Sequence, residues 1–380
     1  MEPTDDPYTQ HAAPDVDSRS TMKKGVMTGR GAIKGRGALS NPANRFHHQR
    51  SERVDDGWDT TIEELARPKT ITLNEVSKTI ISSNQSPDLP FQTSINPYRG
   101  CEHGCIYCYA RPTHAYWDLS PGLDFETKII IKPDAATLLR KKLEQTNYVP
   151  KSLCIGANTD PYQPLESELR ITRSIIEVLA EFQHPFSMIT KSNLITRDLD
   201  LLAPLAAKNL CSIAVSVTTL DNSLKRILEP RTPAGKVRID TIRALSEAGV
   251  RVTMLAAPII PYINDQELES IMQAGHSAGV HSARYILLRL PREVSPMFQA
   301  WLNEHFPDRA EKVMSIIRQS RGGKDYSSVY GERMVGTGHF ASLINKRWKI
   351  CAKKLGIKNE ERFDLDFSQF KRSNEQLKLF

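Results

Sequence analysis

Residues 96–109 read Asn-Pro-Tyr-Arg-Gly-Cys-Glu-His-Gly-Cys-Ile-Tyr-Cys-Tyr, which sets Cys101, Cys105 and Cys108 in the spacing C-x-x-x-C-x-x-C. Three closely spaced thiolates can hold three corners of a cubane iron–sulfur cluster, whose usual complement is four protein ligands. The missing fourth ligand leaves one iron open to a small molecule, which turns an electron carrier into a catalyst. A structural zinc site is the alternative, and it needs a fourth arm to close a tetrahedron. His103 lies between the first two cysteines, too near to serve, whereas His114, six residues past Cys108, has the reach. Gly100 and Gly104 argue against three unconnected thiols, because they permit the tight, partly left-handed turns of a loop wrapped round a cluster.

With Tyr107 as the aromatic, C-x-x-x-C-x-aromatic-C resembles the signature of the radical S-adenosylmethionine (SAM) superfamily. The resemblance implies a [4Fe–4S] cluster whose open iron is chelated by the amino and carboxylate groups of SAM. Reductive cleavage then gives methionine and a 5′-deoxyadenosyl radical. A reductant such as flavodoxin or ferredoxin is the implied electron-donating partner.

Outward from the cysteines the pattern is regular. Phe91-Gln-Thr-Ser-Ile-Asn96 alternates as a strand that runs into the cysteine loop. Further strands are expected at 128–132, 152–156, 186–190, 212–217, 250–256 and 285–290. Between them lie helical segments, the clearest marked by Ile171, Ile175, Leu179 and Phe182. Pro133 stands where a helix over 133–143 would open. Apolar strands alternating with helices imply a parallel sheet covered by helices. About six such units without G-x-G-x-x-G favour a barrel over a dinucleotide fold. The expected fold class is therefore α/β, a partial (β/α)₆ TIM-like barrel with a disordered N-terminal extension and a helical C-terminal extension. The domain boundaries are a flexible basic leader at 1–70, the partial barrel at 88–300 and the helical extension at 301–380.

The chain has 380 residues, 39% hydrophobic and 25% charged, with a net charge of +7. No run approaches the ~20 apolar residues of a membrane span. Met-Glu-Pro-Thr-Asp-Asp-Pro lacks the order of a secretion signal, so the cytoplasm is the expected compartment. Residues 1–18 carry acids and no Lys or Arg, whereas 19–53 hold nine Lys/Arg against the single acid Glu52. Gly-Arg repeats among them suit an arm that meets phosphates, since each Lys or Arg can release condensed counterions. The plainer reading is a solvated leader.

Barrel enzymes place chemistry at the C-terminal ends of strands. Here those ends carry Asn158-Thr159-Asp160-Pro161, Thr190-Lys191-Ser192 and Ser216-Val217-Thr218-Thr219. A cation buried at such a mouth needs an anionic partner or it loses its proton. Lys191 is expected to face the SAM carboxylate and Asp160 its amino or ribose side, with Thr159 and Ser216 adding neutral hydrogen bonds. This strand-end set resembles the spore photoproduct lyase and DNA-repair-photolyase-like branch, over roughly residues 90–300. Residues 35–45, Gly-Arg-Gly-Ala-Leu-Ser-Asn-Pro-Ala-Asn-Arg, resemble a leader of one group within that branch. Carried over by position, Cys101, Cys105 and Cys108 bind the cluster, and Thr159, Lys191 and Ser216 contact SAM. Tyr107 and Tyr109 match tyrosines that line the lyase's radical path; packing against the cluster is the alternative.

One position departs from the lyase pattern. Its hydrogen-donating cysteine matches Ala157 here, while Cys154 falls on the opposite face of the strand. Cys211 begins a strand and Cys351 lies in the C-terminal extension. The substrate therefore does not follow from the family. Nucleic acid is the expected class, with radical modification of a protein or small metabolite as one alternative. A non-catalytic Fe–S or zinc protein that binds nucleic acid is another. Near the C-terminus, 321–327 is a candidate phosphate loop, 331–340 a turn over the barrel's open edge, and 340–355 a basic helix that helps close it.

Overall fold

The computed structural model describes residues 35–46, 69–357 and 365–372. The described residues form ten strands: β1 (Ile71–Asn74), β2 (Ser82–Ser83), β3 (Thr93–Ile95), β4 (Tyr98–Arg99), β5 (Lys128–Ile131), β6 (Leu153–Ile155), β7 (Phe186–Thr190), β8 (Cys211–Ser216), β9 (Arg251–Ile259) and β10 (Ser282–Leu287). Seven form one sheet in the order β10-β9-β8-β7-β6-β3-β2. The six strands from β3 to β10 pair in parallel, and β2 adds an antiparallel edge. β3 and β10 stand at opposite sides of that order without pairing, so the (β/α)₆ barrel is open, as its apolar strand–helix alternation implies.

The helices cover this sheet through the stripes their sequences announce. In Ile171–Glu181, Ile171, Ile175, Ile176 and Leu179 are buried, and Phe182 follows them into the core. Each such side chain contributes roughly 1.5–3 kcal/mol when fully removed from water. Phe298 and Trp301 stack at 5.4 Å in a second core formed with Val294–His305 and Pro307–Gln319. Gly338–Leu355 lies beside β10, where Trp348 meets Tyr285 at 5.2 Å and Arg347 clamps Glu269 at 2.6 Å.

Two differences from the sequence reading bear on the site. The apolar run at 128–132 leaves the barrel: β5 pairs with β1 and β4 in a separate three-stranded sheet. Its neighbours supply the buried faces that its isoleucines need. The leader is not a free arm throughout, because residues 35–46 pack into the body of the protein. Arg36, Ala38 and Asn44 are buried. The remaining leader residues, 1–34 and 47–68, lie outside the described residues, as does the expectation of disorder there.

Candidate functional site

The cysteine loop follows β4 and is fastened at both ends. The Cys101 amide donates to Phe125 O at 2.9 Å, Ile106 N to Leu228 O at 3.2 Å, and Arg111 Nε to Cys105 O at 3.0 Å. Gly100 and Gly104 take positive φ angles of 78° and 68°, the left-handed turns expected of them. Glu102 braces the loop from outside, accepting from Leu165 N at 2.7 Å and pairing with Arg231 at 3.1 Å.

A strap made of residues 35–46 crosses this loop. The Gly37 and Ala38 amides donate to the two Glu126 oxygens at 3.0 and 2.8 Å, and Arg36 Nη1 donates to the Glu126 carbonyl at 2.8 Å. Arg111 pairs with the same buried carboxylate at 2.5 Å. A Cβ on Gly37 would stand 1.8 Å from Gly104 O, so only glycine permits the approach. Arg45 reaches Glu293 at 3.0 Å and stacks on Phe46 and Tyr116. Arg36 and Arg45 are thus engaged by the fold and not presented to phosphates.

Cys101 and Cys105 are buried and Cys108 half-buried. Burial pushes the Cys105 thiol up to about 12, with the Glu229 carboxylate adding to the shift, and raises Cys101 and Cys108 as well. Thiols held protonated in so dry a setting ionise when a cation replaces the proton. Among the described residues, no three His, Cys, Asp or Glu converge as the ligands of a single metal ion. A cubane does not require that convergence, since each thiolate binds its own iron. His114 packs edge-on against Phe125 at 5.5 Å, with burial pulling its pKa down to about 4, and His103 Nδ1 lies 3.3 Å from Asp160.

Behind Cys105 lies a buried network that sequence reasoning missed. Glu229 Oε1 stands 4.0 Å from Cys105 Sγ and accepts from Thr218 at 2.7 Å and from the Tyr107 phenol. Its other oxygen pairs with Arg238, whose guanidinium also donates to Ser216 O at 3.1 Å. Burial alone would raise the Glu229 carboxyl, but Arg238, Lys191 and Tyr107 hold it down to about 2. Glu229 and Arg238 read as ordinary helix-region charges, and nothing local marks them as buried partners.

Lys191 follows β7 into the mouth, its Nζ 5.9 Å from the centre of the Tyr107 ring. Burial would strip its proton, but the Cys105 sulfur, Glu229 and Asp160 outweigh burial and Arg238, so its pKa is raised. Its ammonium makes no hydrogen bond or ion pair with any described residue. A charged, unpartnered donor beside the cysteine loop fits a carboxylate-bearing cofactor. Thr159 donates to Tyr98 O at 2.6 Å and Ser216 to Ala257 O at 3.1 Å, leaving both hydroxyls only lone pairs to offer.

Asp160 is engaged by donors of the fold itself. Its oxygens accept from Thr190 Oγ1 at 2.7 Å, Lys191 N at 2.7 Å and Tyr162 N at 2.9 Å. Burial would raise its carboxyl, yet His103 and these donors hold it down to about 2. It braces the β6 and β7 ends against each other instead of presenting a free carboxylate. Tyr109 is 45% exposed, and its phenol donates to Ala157 O, so it spans from the cysteine loop to the β6 end. Cys154 is buried within β6, Cys211 opens β8, and Cys351 lies on Gly338–Leu355.

The chain is similar to known proteins. The family model described as the radical SAM superfamily matches residues 95–274. An uncharacterised Mycobacterium tuberculosis protein is 35% identical over 233 residues, covering 61% of this chain and 68% of its own. An uncharacterised Methanocaldococcus jannaschii protein is 25% identical, covering 58% of this chain and 78% of its own. Among solved structures, a mutant spore photoproduct lyase with bound AdoMet and dinucleoside spore photoproduct superposes with a TM-score of 0.52. At 14% identity over 75% of this chain and 79% of that one, the likeness shows the fold. The superfamily uses a [4Fe–4S] cluster and SAM and draws on a reductant. The cysteine loop, the open parallel barrel and these relatives lead to one conclusion: the chain belongs to the radical SAM superfamily and is a radical SAM enzyme.

Proposed function

We propose that Cys101, Cys105 and Cys108 hold the cluster, that Lys191, Thr159 and Ser216 hold SAM, and that the substrate is a nucleic acid. Such a cluster, when bound, would supply the electron for reductive cleavage of SAM, the chemistry that starts hydrogen abstraction. The chain's own residues orient and enclose. The observation that carries the SAM assignment is the charged Lys191 ammonium, which makes no hydrogen bond or ion pair with any described residue. It would pair with the SAM carboxylate, while the lone pairs of Thr159 and Ser216 would accept from the SAM amino group. Glu229, itself held by Arg238, accepts from the Tyr107 phenol and so fixes this ring of the cysteine loop beside Lys191.

The nucleic-acid reading is supported by the net charge of +7 and by the dinucleoside bound to the lyase of similar fold. Ala157 stands where that lyase keeps its hydrogen-donating cysteine, so the final hydrogen donor differs. Flavodoxin or ferredoxin would supply the electron.

Lys191→Ala tests the assignment. Losing a charge-assisted partner of a desolvated carboxylate costs about 1.5–3 kcal/mol, which corresponds to a SAM affinity weaker by roughly ten- to a hundredfold. Iron content should stay at the wild-type level. Unaltered SAM affinity by equilibrium dialysis would remove Lys191 from the SAM site.

A further inference from the structure

Two residues past β10, Arg289 projects at the barrel mouth in a setting built for an anion. Its guanidinium carbon lies 5.3 Å from the centre of the Tyr109 ring and 5.8 Å from that of Tyr326. Its hydrogen bonds go to neutral acceptors: Nη2 donates to the Tyr326 hydroxyl at 3.2 Å and Nη1 to Met334 Sδ at 3.5 Å. The Nε–H is buried and has no acceptor among the described residues. No carboxylate among the described residues pairs with it. Arg321 adds a second positive charge nearby, buried and bound only to the Leu287, Leu288 and Glu332 carbonyls, with its own Nε also unpaired. Burial and the charge of Arg289 pull Arg321 down to about 10.

Two guanidiniums brought together without a counter-ion repel each other and leave donors unsatisfied, a combination that proteins avoid unless something else occupies the place. A guanidinium presents its donors in a planar fork that matches phosphate oxygens. The aromatic faces beside it suit bases, which stack on tyrosine without regard to sequence. Tyr109 joins this place to the cysteine loop, since it follows Cys108 directly.

We infer that Arg289, supported by the charge of Arg321, is the seat of a backbone phosphate of the substrate strand, with a flanking base on the exposed Tyr109 ring. The inference rests on the nucleic-acid reading above and names the residue that positions such a strand over the radical site. The loop between Gln319 and Gly338 carries both Arg321 and Tyr326, and is tied to β10 by Leu287 N donating to Met334 O at 2.8 Å. The Gly-Gly pair at 322–323 adopts positive φ and forms the turn that lets Arg321 fold inward.

The test uses the anaerobic, SAM-loaded holoenzyme and a fluorescein-labelled single-stranded DNA 12-mer, read by anisotropy across a salt series. Arg289→Gln should weaken binding about tenfold and make the log–log salt slope shallower by about 0.7, one phosphate contact on a single strand. Arg289→Lys keeps the charge and should restore the slope while recovering only part of the affinity. Iron content and melting temperature of both variants, matched to wild type, separate this from misfolding. Equal affinity and slope for Arg289→Gln and wild type would overturn the seat and leave the nucleic-acid reading standing. Absence of binding by the wild type overturns that reading instead. The seat is then judged by whether inorganic phosphate protects Arg289 from phenylglyoxal, mapped by mass spectrometry. Protection upholds an oxyanion seat, and its absence overturns it.

Discussion

At the scale of single residues, the site is organised by charges that the barrel buries and then pairs. Glu229 and Arg238 are both fully enclosed, so removing either charge strands the other. Breaking such a pair costs roughly 3–5 kcal/mol. Glu229→Gln keeps the shape and loses the charge, and denaturant unfolding should show a loss of that order. A loss below about 1 kcal/mol would mean that Arg238 finds another partner. Asp160 gives a pH-dependent counterpart. Its carboxyl is held at about 2 in the folded chain, below the unfolded value of about 4. Its contacts therefore stabilise the fold above pH 4, and that contribution is lost as pH falls toward 2. Asp160→Asn should flatten this limb of the stability curve, measured by urea unfolding of both proteins at pH 5 and pH 3. Equal pH dependence in the two would contradict the bracing role.

At the scale of elements, the strap over the cysteine loop is the feature that local sequence conceals. The cysteines, the barrel strands and Lys191 were legible because short-range spacing and periodicity carry them. Residues 35–46 have no period, and their anchor Glu126 lies 90 residues from Arg36 in sequence. Their glycines and arginines read as a solvated arm because composition cannot show a partner so distant. The partners of Asp160 are hidden for the same reason: they include Thr190 and Lys191 at the β7 end and His103 in the cysteine loop. The strap makes a sharp expectation. Gly37→Val places a side chain against Gly104 O, so the strap must lift. The cluster should then be lost to a chelator several times faster than in wild type. Truncation at residue 34 should leave the rate unchanged, whereas truncation at residue 46 should reproduce the Gly37→Val behaviour. Identical chelation rates in all four proteins would show that the strap does not guard the loop.

At the scale of the whole molecule, an open parallel barrel gathers one loop and three strand ends around a single mouth, and the helix at Gly338–Leu355 covers its β10 side. Among the described residues, no helix is long and apolar enough to cross a membrane. On the proposed assignment, the three loop cysteines make this mouth a SAM-cleaving centre. The most direct measurement is 5′-deoxyadenosine formation by anaerobically reconstituted protein given SAM and dithionite, with iron and sulfide assayed on the same sample. Wild type should hold about four irons and four sulfides and release 5′-deoxyadenosine, while Cys105→Ala should do neither. Stoichiometric zinc without iron in protein made under iron-replete anaerobic conditions, or undiminished 5′-deoxyadenosine from Cys105→Ala, would contradict the account.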